Sequence, residues 1–256
     1  MKFHLSHGFV KGDTHEVCED YATSLKIRGT DLSLPYNPLV IVSDGCSAVP
    51  NSDVGSRLLT LSAKKVMARV IADGETPEPD ELGDLILQSL IPIAETLDAV
   101  DTCYATLLAG FVLDGQCHVY AYGDGLWYWR SRSGEMSFTA IEDVQNAPPY
   151  LIFRHDAPKL LVEPGKTAKR IRISEYPAGK TTMTRQELFH WSFPTDDVAE
   201  FGVATDGVFA TNLDLVEVIE ALSDGDIPYL LQRFRQTDPT CFDDIGIAAI
   251  RILHGA

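Results

Sequence analysis

The chain has 256 residues, and its 37 acidic side chains outnumber 21 basic ones to leave a formal net charge of −16. That balance argues against nucleic-acid or anionic-membrane partners, which want a basic face. The 45% apolar content suits a globular core, yet no apolar run approaches the roughly 20 residues of a membrane span. The opening Met-Lys-Phe-His-Leu-Ser-His carries no apolar segment of the signal-peptide kind. Five cysteines without a Cys-x-x-Cys pair indicate neither a disulfide framework nor a zinc ribbon, so a reducing cytoplasm is expected.

Residues 2–10 alternate loosely and predict a first strand, 11–20 a polar loop, and 21–27 a second strand. Leu39, Val40, Ile41 and Val42 form a continuous branched run, which predicts a strand covered on both faces. It stops at Asp44-Gly45, where glycine permits a sharp turn. Leu58, Leu59, Ala63, Val66, Met67, Val70 and Ile71 then recur at helical spacing, with Ser52 or Asp53 as the expected N-cap. An acidic, proline-rich loop over 73–80 ends in a second expected N-cap, Asp80, and a second helix is predicted over 81–99, kinked at Pro92. Strands over 104–113 and 116–122 flank Asp114-Gly115, a strong two-residue hairpin signal, and 126–130 adds another. Residues 131–200, broken by Pro148-Pro149 and Pro164-Gly165, read as an elaborated loop or flap. A strand over 201–205, helices over 212–222 and 227–236, and a final strand over 245–253 complete the chain. Hairpin-linked strands and separate helical runs predict a single α+β domain over residues 1–256. The expected architecture is a four-layer αββα sandwich of two mainly antiparallel sheets flanked by helices.

Acids stand at the ends of these elements: Glu19-Asp20, Asp44, Asp124, Asp206 and Asp243-Asp244. A lone strand-Asp-Gly is also ordinary turn chemistry. Here it recurs at Asp44-Gly45, Asp124-Gly125 and Asp206-Gly207. Carboxylates on rigid strand ends are suited to hard divalent cations, and two such ions can activate water for displacement at phosphorus.

Taken in order, Cys18-Glu19-Asp20-Tyr21, Val42-Ser43-Asp44-Gly45, Thr102-Cys103-Tyr104-Ala105-Thr106, Tyr122-Gly123-Asp124, Ala204-Thr205-Asp206-Gly207 and Phe242-Asp243-Asp244-Ile245 resemble the protein phosphatase 2C family of metal-dependent Ser/Thr phosphatases. The resemblance runs from about residue 6 to 253. It implies an αββα sandwich, dependence on two Mn²⁺ or Mg²⁺ ions with a third in some members, and hydrolysis of phosphoserine or phosphothreonine in phosphoproteins by a metal-bridging hydroxide. On that resemblance Asp44 matches the bridging carboxylate and the Gly45 carbonyl a backbone ligand. Asp206 and Asp243 match the other ligands of the first metal, Glu19 and Asp20 the acids serving the second, and Asp124 the acid of the third. Asp243 is preferred to Asp244 because the family places its ligand first in the pair. Two positions depart from the pattern. His15 stands where the family has its phosphate-binding Arg, and Cys46 stands where it has a His proposed as general acid; Ser47-Ala48 replace the usual glycines. Both remain candidate substrate-binding residues, and His15, Asp44 and Asp206 are the candidate catalytic set.

Cys46 as a phosphatase nucleophile would need Cys-x₅-Arg, whereas Arg57 lies eleven residues on, and nearby carboxylates oppose a thiolate. Trp127, Trp129, Tyr122 and Tyr128 read as sheet packing. The alternative to an enzyme is a pseudophosphatase, the same fold used as a regulatory binding module; a plain cation-binding acidic domain is a third reading.

Overall fold

The computed structural model describes residues 1–29, 36–144, 148–155, 171–211, 217–218, 227–229, 231–232 and 242–253. Twelve described strands form two antiparallel sheets. They are β1 (Lys2–Val10), β2 (Tyr21–Ile27), β3 (Asn37–Ser43), β4 (Leu107–Leu113), β5 (Gln116–Tyr122), β6 (Gly125–Ser131), β7 (Met136–Asp143), β8 (Ile171–Tyr176), β9 (Lys180–Thr184), β10 (Leu188–Pro194), β11 (Val198–Ala204) and β12 (Ile245–Leu253). The seven-stranded sheet runs β1-β12-β11-β6-β7-β8-β9 and the five-stranded sheet β10-β5-β4-β3-β2. Helices α1 (Ser52–Ala72) and α2 (Pro79–Thr96) connect β3 to β4. None of the described helices is long and apolar enough to cross a membrane.

The side-chain alternation of β3 shows why its sequence is apolar throughout. Leu39 and Ile41 turn outward to Leu59, Met67, Ile86 and Leu90 of the two helices, while Val40 and Val42 turn inward to Phe201, Val203 and Ile250 of the other sheet. A third cluster joins Leu126, Tyr128 and Ile247, on the outer face of the seven-stranded sheet, to Val218, Ile227 and Leu231. Those three belong to the predicted C-terminal helices, which otherwise lie outside the described residues; residues 217–218, 227–229 and 231–232 are helical. Helix, sheet, sheet, helix is the αββα sandwich.

Three local expectations need correction. The residue before α1 is Asn51, in the left-handed conformation with φ 59. Ser52 begins the helix with its hydroxyl directed to Glu19, and Asp53 pairs with Arg57 one turn on. The second helix starts at Pro79, behind Glu78, because proline's fixed φ and missing N–H suit the first helical position. The described residues of 131–200 contain β7 to β11, so the described part of the stretch is largely sheet. Its strands were hard to read because β9, Lys-Thr-Thr-Met-Thr, covers no core and carries no apolar alternation.

Candidate functional site

Antiparallel pairing determines which strand ends meet. Tyr21 pairs with Ser43, Val42 with Leu108, Leu107 with Tyr122, and Ala204 with both Leu126 and Ile247. The C-terminal ends of β3, β5 and β11 and the N-terminal ends of β2, β4, β6 and β12 therefore share one end of the sandwich. Every acid singled out in the sequence lies just beyond one of these strand ends.

Asp44 is fixed through its backbone. Its N–H donates to Thr106 Oγ1 at 3.1 Å, its carbonyl accepts from the Thr106 N–H at 2.9 Å, and Ser43 Oγ donates to Thr106 O at 2.6 Å. Gly45 bridges to Ala105. A Cβ at Gly45 would stand 2.8 Å from Ser52 O and 3.0 Å from Glu19 O, so glycine lets α1 and the Glu19 loop close onto the strand end. Gly207 does the same beside Asp206, where a Cβ would meet Asp244 O at 1.7 Å.

Two groups of potential ligand atoms result, each within 4.8 Å: Asp44, Asp124 and Asp206 in one, and His15, Glu19 and Asp244 in the other. Asp20 is buried, 1% exposed, and its carboxylate meets that of Asp44. Asp20 Oδ2 accepts from Thr205 Oγ1 at 2.6 Å. Ser52 Oγ donates to Glu19 Oε1 at 2.9 Å. Asp20 Oδ1, Glu19 Oε2 and Asp124 Oδ1 are buried without a hydrogen-bond partner.

The electrostatics match that picture. Burial, then the charges of Asp20 and Asp206, hold the Asp44 carboxyl well above the ordinary carboxylate range. Burial acts first on Asp20 too, raising it well above that range, with Asp244 and Asp206 adding to the effect. Burial and Asp206 push Asp124 up to about 8, and burial and Asp243 push Asp206 up to about 6. The cluster is short of positive charge.

Asp243 and Asp244 divide between two surroundings. Asp244 is buried and accepts the N–H groups of Gly12 at 2.6 Å and Glu19 at 2.5 Å, with His15 Nδ1 3.0 Å from its Oδ2. Asp243 is more open, raises Asp206 by its charge, and has His15 Nε2 at 3.6 Å. Burial works against a charged His15, but Asp244, Asp243 and Glu19 together raise it above the ordinary histidine range. Cys46 belongs to neither group; its N–H donates to Tyr104 O at 2.9 Å and its thiol lies against the Tyr150 hydroxyl, which also feels the charges of Asp44 and Asp124.

Several neighbours escaped the reading of the sequence. Asp143 is buried and close enough to Asp124 to raise it. Thr205 holds Asp20, Ser52 holds Glu19, and Tyr150 shields Cys46 from within the stretch read as a flap. Only Thr205, flanking an Asp-Gly, stood beside a usable signal.

Apart from a His15 ring nitrogen the potential donors are hard carboxylate oxygens, and Glu19 Oε2, Asp20 Oδ1 and Asp124 Oδ1 are buried and unpartnered. A fully liganded octahedral ion with 2.0–2.1 Å bonds spaces its opposite ligand atoms by about 4 Å, inside the 4.8 Å that bounds each group. The residues fit divalent cations of the Mg²⁺ or Mn²⁺ kind.

The family model described as protein phosphatase 2C matches residues 13–238, and the chain belongs to that family. No curated protein matches the sequence. Among solved structures, a bacterial serine phosphatase is 14% identical, with 100% of both chains covered and a TM-score of 0.62. The Ser/Thr phosphatase Stp1 from Staphylococcus aureus is 13% identical, with 99% of this chain and 96% of that one covered and a TM-score of 0.58. The catalytic domain of the Ser/Thr protein phosphatase PstP, solved with two manganese ions, is 13% identical over 98% and 99%, with a TM-score of 0.56. At these identities the likeness is one of fold.

Proposed function

We propose that the chain is a metal-dependent phosphoprotein phosphatase that hydrolyses phosphoserine and phosphothreonine. The observation that carries this reading is the set of buried, unpartnered carboxylate oxygens of Glu19, Asp20 and Asp124 at the end of the sandwich where Asp44, Asp124 and Asp206 form one group of potential ligands and His15, Glu19 and Asp244 another. Asp44, Asp206 and Asp243 would hold one ion; Asp44, the Gly45 carbonyl, Glu19 and Asp20 would hold a second; Asp124 would serve a third. Bound Mn²⁺ or Mg²⁺ supplies neutralising charge and a water acidic enough to act as nucleophile near neutral pH.

The protein's own groups divide the remaining work. Thr106 and Thr205 hold Asp44 and Asp20 in place, so the ligand set needs no rearrangement when a phosphate arrives. Asp244 anchors His15 through Nδ1, leaving Nε2, 3.5 Å from Ser47 Oγ, as the donor to a phosphate oxygen. A single imidazolium replaces the bidentate fork of an Arg, so phosphate would be held by one directed bond. Cys46, turned toward Tyr150, lines the approach and donates no proton to the leaving group. The free thiols of Cys18, Cys46, Cys103 and Cys117 favour a cytoplasmic setting.

Hydrolysis of p-nitrophenyl phosphate and of a phosphothreonine peptide with Mn²⁺, with Mg²⁺ and with EDTA tests the reading. Metal-dependent turnover lost in Asp44→Asn is the expected result. Turnover undiminished in Asp44→Asn would end the assignment, and metal binding without turnover of either substrate would favour the binding-module reading.

A further inference from the structure

We propose that a cleft at the opposite end of the sandwich binds a small amphiphilic anion, with an apolar or aryl body seated on Phe3, Tyr36 and Pro38 and a carboxylate or phosphate headgroup held between Lys2 and Lys26.

The cleft opens where the start of β1, the outermost strand of one sheet, meets the end of β2, the outermost strand of the other, and the start of its neighbour β3. Its volume is about 260 Å³, and Met1, Lys2, Phe3, Lys26, Tyr36 and Pro38 line it. Pro38 is buried and Phe3 half-buried against the core between the sheets, so the floor is apolar. Tyr36 is a braced wall. The Arg28 guanidinium lies 4.7 Å from its ring centre and Arg28 Nη2 donates to its hydroxyl at 2.6 Å.

Charge selects the ligand. Acidic residues outnumber basic ones 37 to 21 in this chain, yet Lys2 and Lys26 have no carboxylate partner among the described residues, and Arg28 adds a third cation beside them. Lysine stems can line an apolar floor while their ammonium heads stay at the wet rim. A neutral apolar ligand would leave both heads unused, whereas an anionic head gains charge-assisted hydrogen bonds there. The volume falls below that of most drug-sized sites, which excludes a dinucleotide or other large cofactor. The seven residues of β3, at about 3.3 Å each, separate this cleft from the carboxylate end by roughly 20 Å. No ligand of this size spans both ends, so the inference is independent of the phosphatase reading.

The test titrates 4-phenylbutyrate, phenyl phosphate and the neutral 4-phenylbutan-1-ol into the metal-free, ¹⁵N-labelled full chain while amide shifts are followed. Saturable shifts at Lys2, Phe3, Lys26, Tyr36 and Asn37 are expected for at least one of the two anions, and the tighter of them identifies the preferred headgroup. The alcohol should bind at least about tenfold more weakly, the loss of one charge-assisted contact. Lys26→Glu and the milder Lys26→Gln should each weaken the anion measurably, the first by more; Lys26 is exposed, so both variants should keep the native spectrum. Shifts confined to the amides of Asp44, Gly45 and Asp206 would assign the anion to the other end and overturn the proposal. So would the absence of saturable shifts at the cleft, equal binding of the alcohol, or binding unchanged in both Lys26 variants.

Discussion

Two regions bury ionisable side chains, and they relieve the cost in opposite ways. On the outer face of the five-stranded sheet, His118 Nδ1 lies 3.1 Å from His190 Nε2, and the two rings are stacked with Phe111 and Tyr120, at 4.8 Å for Phe111–His118 and 4.3 Å for Tyr120–His190. Burial, then the neighbouring His190, lowers His118 to about 4, against the weaker pull of Asp114. Burial lowers His190 as well, opposed by Glu78. One N–H···N bond uses one nitrogen of each neutral imidazole, and neither ring's second nitrogen is among the described buried atoms left without a partner. At the carboxylate end burial also disfavours charge, but ionised carboxylates only accept hydrogen bonds, and several buried oxygens there have no donor. The difference teaches that burial alone does not mark a functional site. A buried set that cannot satisfy itself does, because something must be brought to it.

The largest expected effect breaks that comparison at its acidic side. Asp44→Asn should cut phosphatase turnover by on the order of a thousandfold or more, since it removes a carboxylate both ions would share. It should also shrink the rise in melting temperature that Mn²⁺ produces in the unaltered chain. Initial rates and thermal melts on the same preparation check both effects.

The acids also make a signed pH prediction. Their folded-state pKa values lie above the ordinary carboxylate value, so in the metal-free protein they favour folding fully only below about pH 4. That contribution is lost as pH rises through about 6 for Asp206 and about 8 for Asp124. For Asp206 alone the loss is on the order of 3 kcal/mol, or roughly 5–10 °C in melting temperature. Mn²⁺ should therefore stabilise the chain more at pH 8 than at pH 5. Equal stabilisation at the two pH values would mean that these carboxylates do not bind Mn²⁺.

The histidine pair runs the other way. Both folded pKa values lie below the ordinary 6.5, so the pair's contribution is present above that value and is lost as pH falls, through about 4 for His118. Full protonation should cost on the order of 2–3 kcal/mol from His118, which is only 7% exposed. Replacing both rings, His118→Phe with His190→Phe, should flatten the difference in denaturant stability between pH 7 and pH 4 without altering the response to Mn²⁺. A variant that keeps the full acid-induced loss would refute the assignment of that loss to the pair.

The same contrast explains what could be read from the sequence. Asp44, Asp124 and Asp206 were legible because each follows a buried strand and precedes glycine, and local backbone chemistry writes that pattern directly into the chain. The sheets were legible where a strand covers core, as in β3. What escaped depends on tertiary direction. Asp243 and Asp244 are adjacent, yet one sits near Asp206 and the other under Gly12, Glu19 and His15, and no one-dimensional pattern separates them. Asp143 reaches Asp124 only because β7 pairs with β6, and β9 continues the sheet past the core that would have given it alternation.

The smallest expected effect concerns an ion pair that water already screens. Arg154 Nη1 lies 2.5 Å from Asp80 Oδ1, and its Nη2 lies 2.8 Å from Asp84 Oδ1. The two Asp side chains are 75% and 57% exposed. Arg154→Ala should therefore cost less than about 1 kcal/mol, an effect that 0.5 M salt largely reproduces in the unaltered chain. The bridge nonetheless ties the turn Leu151–Arg154 to α2 beside Tyr150, whose ring packs edge-on against Tyr104 and Phe153. On the proposed function, loosening that turn should raise KM for a phosphothreonine peptide about two- to threefold and leave kcat nearly unchanged, because Tyr150 bonds Cys46 and feels Asp44 and Asp124 only through their charge. A large fall in kcat would show instead that the turn supports the ligand set itself, and the self-satisfied and unsatisfied regions would then be mechanically joined through α2.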